Sequence, residues 1–270
     1  MEYSIKKYQE FFDQYANHFI EIEKEPANKT LIAYKLHHTY RVRDNIVRIA
    51  TSCHLDERGM FIAEMIGLFH DIARFEQFYR FQSYDDRKTV NHGLYGKEVL
   101  MKEQVLQELE PKLQQLIWNC VAYHNVPSLP KDLDPELYYF TSMLRDADKI
   151  DIIKAMADIV PTMSPEEQDL WYLGRSRKNC ISDKVYQNFM EQRVSLISDC
   201  TTVVDSQFSR LAWIFVDMNF RESIKMIEEG QYVDTIYEMS GKDLKMTEMY
   251  HYIKACMKEY IEQGRESYLG

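Results

Sequence analysis

Apolar side chains recur at helical spacing along nearly the whole chain. Phe11, Phe12, Tyr15, Phe19 and Ile22 predict a first helix over residues 3–24, which Glu25-Pro26-Ala27-Asn28 breaks. A second helix follows from about Leu31 to Ser52, and its periodicity separates two adjacent histidines. His38 shares a stripe with Val42, Ile46 and Ile49, the inward face. His37 shares one with Arg41, Asp44 and Arg48, a solvated face. His38 is therefore a candidate ligand and His37 a bystander.

The third predicted helix runs from about Glu57 to Ala73, with Ala63, Ile66, Gly67 and His70 on one side. Gly67 is placed to let a neighbouring backbone approach closely. From Phe75 to Val90 the periodicity is lost and aromatics alternate with charges, which reads as a loop or broken helix. Asn91 can cap a helix whose inner face carries His92, Tyr95, Gly96, Val99 and Leu100. Pro111 opens another, with Leu113, Leu116, Ile117, Cys120, Val121 and His124 facing inward. The next, about Pro135 to Ile159, puts Asp148 on a stripe with Leu144, Ile152 and Ala155. A lone carboxylate there is costly unless it is paired or bound to metal.

Beyond this point the pattern predicts packing. Ser164-Pro165-Glu166-Glu167 is a helix start with cap, proline and capping-box glutamate. Arg175, Arg177 and Lys178 read as an exposed turn. A long helical stretch is expected from Lys184 to Asn219, then shorter helices to Met239 and a terminal amphipathic helix from Asp243 to about Gln263. Residues 1–270 therefore read as one all-α domain, with a site-bearing core over about 30–160 and a C-terminal helical extension over about 161–270.

Composition supports that class. Only 9 Gly and 7 Pro occur among 270 residues, while 19 Tyr and 13 Phe supply a sizeable core. A net charge of −10 argues against a nucleic-acid polymer as partner. The five cysteines are scattered without a CxxC pair, which suggests reduced thiols in a cytoplasmic protein. No apolar run is long enough for a signal peptide or membrane span, so no membrane is expected.

The candidate chemistry is the ordered set His38, His70-Asp71, His92, His124 and Asp148. A single histidine on an apolar stripe is more often a hydrogen-bonded core residue than a ligand. Four on the inner stripes of four helices, with two acids, are hard to explain as packing. His18, His54 and His251 lack such support. Imidazole and carboxylate suit a divalent ion such as Mn, Fe, Co, Ni, Zn or Mg. His38, His70, Asp71 and Asp148 would hold one ion, and Asp71 can bridge to a second held by His92 and His124.

The segments His38-Thr39-Tyr40-Arg41-Val42, His70-Asp71, His92-Gly93, Tyr123-His124 and Asp146-Ala147-Asp148-Lys149-Ile150-Asp151 resemble the successive motifs of the HD-domain superfamily. The resemblance covers roughly residues 30–160. It implies an all-α, HD-type fold and a metal-dependent phosphohydrolase, with one or two divalent ions on His38, His70, Asp71, His92, His124 and Asp148. There is no Gly-Tyr-Pro segment and only one histidine at Tyr123-His124-Asn125, so an HD-GYP cyclic-dinucleotide phosphodiesterase is not expected. His70-Asp71-Ile72-Ala73-Arg74 also lacks the acidic pair of the alarmone hydrolases.

The expected substrate is a small phosphorylated metabolite such as a nucleotide. Asp71 and Arg74 are the expected catalytic residues, and Arg41, Arg145 and Lys149 the expected phosphate contacts. Surface salt bridges are an equal reading of those cations. The same ligands also resemble HD-fold di-iron oxygenases, and a regulatory protein that binds metal without turnover is the third alternative. Self-association into a homo-oligomer stays open.

Overall fold

The computed structural model describes residues 3–263, which are helical with no strands. The helices group into two compact units, residues up to Asp148 and residues from Lys149 onward. This division differs from the expected core over about 30–160 with an extension over about 161–270. The N-terminal helix belongs with the core, and the boundary falls inside a helix.

The first unit holds α1 (Lys6–Ile22), α2 (Pro26–Ser52), α3 (Glu57–Phe69), α4 (Ala73–Phe81), α5 (His92–Lys102), α6 (Pro111–Tyr123) and most of α7 (Pro135–Lys154). Phe12 of α1 sets its ring edge-on to Tyr40, Phe69 and Phe75, which is why α1 is part of this core. Pro26 opens α2 at a position where its missing N–H costs nothing. Asp56 caps α3 by accepting from the Gly59 amide at 2.7 Å, and Asn91 caps α5 from Leu94 at 2.9 Å.

Two close helix approaches shape the unit. A Cβ on Gly67 of α3 would lie 2.8 Å from Ile46 Cγ2 and 3.0 Å from Arg43 Cα, both in α2. A Cβ on Gly93 of α5 would lie 2.6 Å from Asn125 Oδ1 and 2.9 Å from the Ala122 carbonyl at the end of α6. At both positions only glycine leaves room for the neighbouring chain.

The second unit holds the end of α7, which continues as a π turn over Ala155–Ile159 and a 3-10 turn over Val160–Thr162. It then has α8 (Pro165–Trp171), α9 (Asp183–Met190), α10 (Val203–Leu211), α11 (Trp213–Val216), α12 (Arg221–Glu229), α13 (Tyr232–Met239) and α14 (Leu244–Gln263). The expected capping box at Ser164 is formed with Glu167.

Of the two readings of residues 75–90, a loop or a broken helix, the structure has the broken helix: Ala73–Phe81 is helical, with Phe75, Gln77 and Phe78 buried. The helix is short enough that its apolar face shows only two aromatics, and Gln82 in the left-handed region ends it. The long helix over 184–219 is broken. Asp205 accepts from the amides of Ser182, Thr201 and Thr202 at 2.8, 2.9 and 3.1 Å, and it forms a capping box with Thr202. That carboxylate satisfies backbone groups that a continuous helix would have paired internally.

The basic cluster at 175–178 is structural, as expected of a turn. Arg175 donates to the carbonyls of Tyr172, Ile197 and Cys200, and Arg177 pairs with Asp169 at 2.7 Å. The five cysteines are free. Among the described residues no helix is long and apolar enough to cross a membrane.

Candidate metal centre

The centre is built where helices end. α3 stops at Phe69, so His70 and Asp71 lie in a turn before α4, not within one continuous helix as the sequence pattern suggests. His70 caps α3, and its Nδ1 donates to the Gly67 carbonyl at 2.9 Å. α6 ends in the same way: His124 is its cap, and Nδ1 donates to the Val121 carbonyl at 2.7 Å. The last carbonyls of a helix have no partner within it. Here each captures an imidazole N–H, which sets the tautomer and leaves the Nε2 lone pair pointing beyond the helix end.

His92 reaches the same result from the first turn of α5. Its Nδ1 donates to Asp86 Oδ2, and its Nε2 faces inward. His38 comes from the middle of α2, brought near by the close approach at Gly67. Its Nε2 lies 3.3 Å from His70 Nε2 and 3.2 Å from Asp148 Oδ1. His37 is exposed, as its stripe predicts, and so are His18, His54 and His251.

Asp71 joins the two histidine pairs. Its Oδ2 lies 3.4 Å from His38 Nε2 and 3.6 Å from His70 Nε2. Its Oδ1 lies 3.5 Å from His92 Nε2 and 3.9 Å from His124 Nε2. The ligand atoms of His38, His70 and Asp71, and those of Asp71, His92 and His124, each lie within 4.8 Å of one another, and every one of these residues is buried. Asp148 adds a carboxylate to the first group only.

The electrostatics favour a cation. Burial holds His70, His92 and His124 below the ordinary histidine value, His124 furthest because His92 and His70 add to the effect. Burial would raise Asp71, but Lys35, His70, His38 and Arg74 outweigh it and hold the carboxyl well below the usual range. Asp148 is lowered against its burial by His38 and His70. The result is ionised carboxylates among neutral rings. His92 and His124 bring their Nε2 atoms to 3.0 Å although each ring already donates through Nδ1. Converging acceptors of this kind are the donor set of a divalent ion. The two buried groups can hold metal.

The cations divide. Arg74 sits against the centre, with Nε 3.5 Å from Asp71 Oδ1 and Nη2 3.4 Å from His92 Nε2. Its Nη1 is held by Gln77, Asp86 and the Tyr84 carbonyl, each at 2.8 Å. Arg41 lies 5.5 Å over the Tyr34 ring, which itself stacks on His38. Arg145 is not placed as expected. It is buried and donates to the carbonyls of His124, Val126 and Pro127, so it clamps the chain leaving α6. Lys149 falls in the second unit, where its Nζ pairs with Asp217 at 2.7 Å.

Two residues of the site escaped the sequence reading. Asp86, in the loop after α4, orients His92 and is held by Arg74, Gln77 and Asn125. Only its place in a charged, aperiodic segment hinted at a role. Lys35 places Nζ 2.8 Å from Asp71 Oδ2. Its offset of one turn from His38 was a usable signal. Compared with protein-family models, curated proteins and solved structures, the chain matches none.

Proposed function

We propose that this protein is a metal-dependent phosphohydrolase acting on a small phosphorylated metabolite, such as a nucleotide. The observation that carries the reading is Asp71, whose two oxygens each face a separate pair of imidazoles. The motif order resembling the HD-domain superfamily supports it.

Divalent ions held by these ligands supply positive charge to a phosphoryl group and lower the pKa of a bound water. The chain's own residues do the rest. His70 and His124 keep their tautomer through backbone carbonyls, so their Nε2 atoms are preset for coordination. Asp148, whose side chain is 21 % exposed against 4 % for Asp71, presents an acceptor that would orient an attacking water. Arg74, locked by its contacts to Gln77, Asp86 and Tyr84, offsets charge on the phosphate oxygens. Arg41, over the Tyr34 ring that stacks on His38, is a further phosphate contact in this reading. The net charge of −10 fits a small anionic ligand held locally better than a nucleic-acid polymer. Free cysteines agree with a cytoplasmic location.

The test is elemental analysis of protein purified without chelator, beside His38→Ala and His124→Ala, followed by a phosphoester panel with Mn(II). Two metal equivalents, falling to about one in His124→Ala, with phosphate release, are expected. Two irons with an oxygen-dependent absorbance change would instead favour the di-iron oxygenase. Metal without turnover of any phosphoester would favour the regulatory protein. Absence of metal even after reconstitution overturns all three.

A further inference from the structure

Lys35 has no role in the chemistry described above, yet it makes the shortest contact to the bridging carboxylate. Its Nζ lies 2.8 Å from Asp71 Oδ2, the oxygen that faces His38 and His70. The Tyr84 ring lies 5.7 Å from Lys35 Nζ and 5.7 Å from the Arg74 guanidinium. Tyr84 is itself fixed, its hydroxyl on the Leu31 carbonyl and its carbonyl on Arg74. One aromatic ring thus steadies two cations, one on each oxygen of Asp71.

The two cations differ in freedom. Arg74 is held by three further hydrogen bonds, whereas among the described residues Lys35 forms a hydrogen bond to Asp71 alone and otherwise only faces the Tyr84 ring. The Lys35 side chain is 17 % exposed against 4 % for Asp71, and its four-carbon stem is flexible. A divalent ion taken up by His38, His70 and Asp71 Oδ2 would set a second positive charge beside this ammonium. Like charges that close repel strongly where little water intervenes. The ion would compete with the ammonium for that oxygen, and a phosphate anion beside the centre is a partner that would take the ammonium up.

We propose that Lys35, which contacts Asp71 Oδ2, is a second phosphate-binding cation of this centre and would pass to an anionic substrate when a metal takes that oxygen. Together with Arg74 it supplies two positive groups, which suits the dianion of a phosphomonoester. The assignment rests on the reading of the centre as a metal-dependent phosphohydrolase.

The experiment titrates Mn(II), and then inorganic phosphate into the Mn-loaded protein, by calorimetry in the wild type, Lys35→Met and Lys35→Arg. Lys35→Met is expected to bind Mn(II) roughly tenfold more tightly and phosphate roughly tenfold more weakly, the size of one charge-assisted contact. Lys35→Arg is expected to keep phosphate binding. Lys35→Gln carries the same measurement if circular dichroism shows that Lys35→Met does not fold. Weaker or unchanged Mn(II) binding in the neutral variants overturns the assignment, as does unchanged phosphate binding or a loaded wild type that takes up no phosphate. A wild type that shows the exchange but cleaves no phosphoester overturns the hydrolase reading and leaves Lys35 in this role. Turnover with both titrations unaltered by Lys35→Met overturns the Lys35 assignment alone.

Discussion

His92 and His124 present their Nε2 atoms to each other at 3.0 Å, while the Nδ1 of each already donates, to Asp86 and to the Val121 carbonyl. Two neutral imidazoles in those tautomers have no hydrogen to share between them. Burial disfavours the proton that would relieve the contact, which leaves two acceptors converging where a metal ion could be held.

This arrangement should make the protein acid-sensitive when no metal is bound. His70, His92 and His124 are held below the ordinary value of 6.5 by burial, so the unfolded chain takes up their protons at higher pH than the folded one. Where the unfolded state binds more protons, stability rises with pH. Full stability is therefore expected above about pH 6.5, with a progressive loss as pH falls below it. The lowered carboxyls of Asp71, Asp86 and Asp148 add loss only below their ordinary 3.8. Urea unfolding in chelator across this range checks the profile. His124→Gln should flatten it, and an equal slope in that variant would contradict the account.

Asp86 fixes the tautomer of His92 and accepts from Gln77 and Asn125 as well. Asp86→Asn should weaken the second metal equivalent roughly 10–100-fold and leave the first nearly unchanged. Competition against a fluorescent chelator reads both constants. Equal loss at both sites would mean that the loop positions the whole centre.

Gly93 lets α5 approach the end of α6. In Gly93→Ala the new methyl meets Asn125 Oδ1 and two backbone carbonyls within 3.0 Å, so the helices must part. A loss of about 1–3 kcal/mol is expected, together with weaker binding of the second ion only. Thermal melts with and without Mn(II) distinguish this from local strain, since added metal should recover less stability in the variant than in the wild type.

Arg145 serves the fold, with three backbone carbonyls as its acceptors. Arg145→Met should lose about 2–3 kcal/mol of stability by leaving buried carbonyls unpaired. The KM for whichever phosphoester is turned over should stay within about twofold, because a group that binds no substrate contributes no differential affinity. A large rise in KM with unchanged stability would restore it as a phosphate contact.

The all-α class, the inward face of α2 and the choice of His38 over His37 were legible in the chain, because helical periodicity and burial are local consequences of side-chain order. The close approach at Gly67 was legible for a related reason: a missing side chain on an inward face leaves space that a neighbour fills. Helix ends were less visible. The stop at Phe69, the short α4 and the break at Asp205 depend on which orphan backbone groups find side-chain partners, and those partners come from elsewhere in the chain.

The sequence by itself determined the all-α class, which histidines turn inward and that two acids accompany them. Only the tertiary structure decided that Asp71 turns one oxygen to each histidine pair, that Asp86 and Lys35 join them, and that Arg145 holds a loop. The physical reason is range. Periodicity states the face on which a side chain lies, whereas a hydrogen bond or a shared metal site requires atoms from separate helices to agree within a few tenths of an ångström. That agreement is set by how closely helices pack and where each one ends.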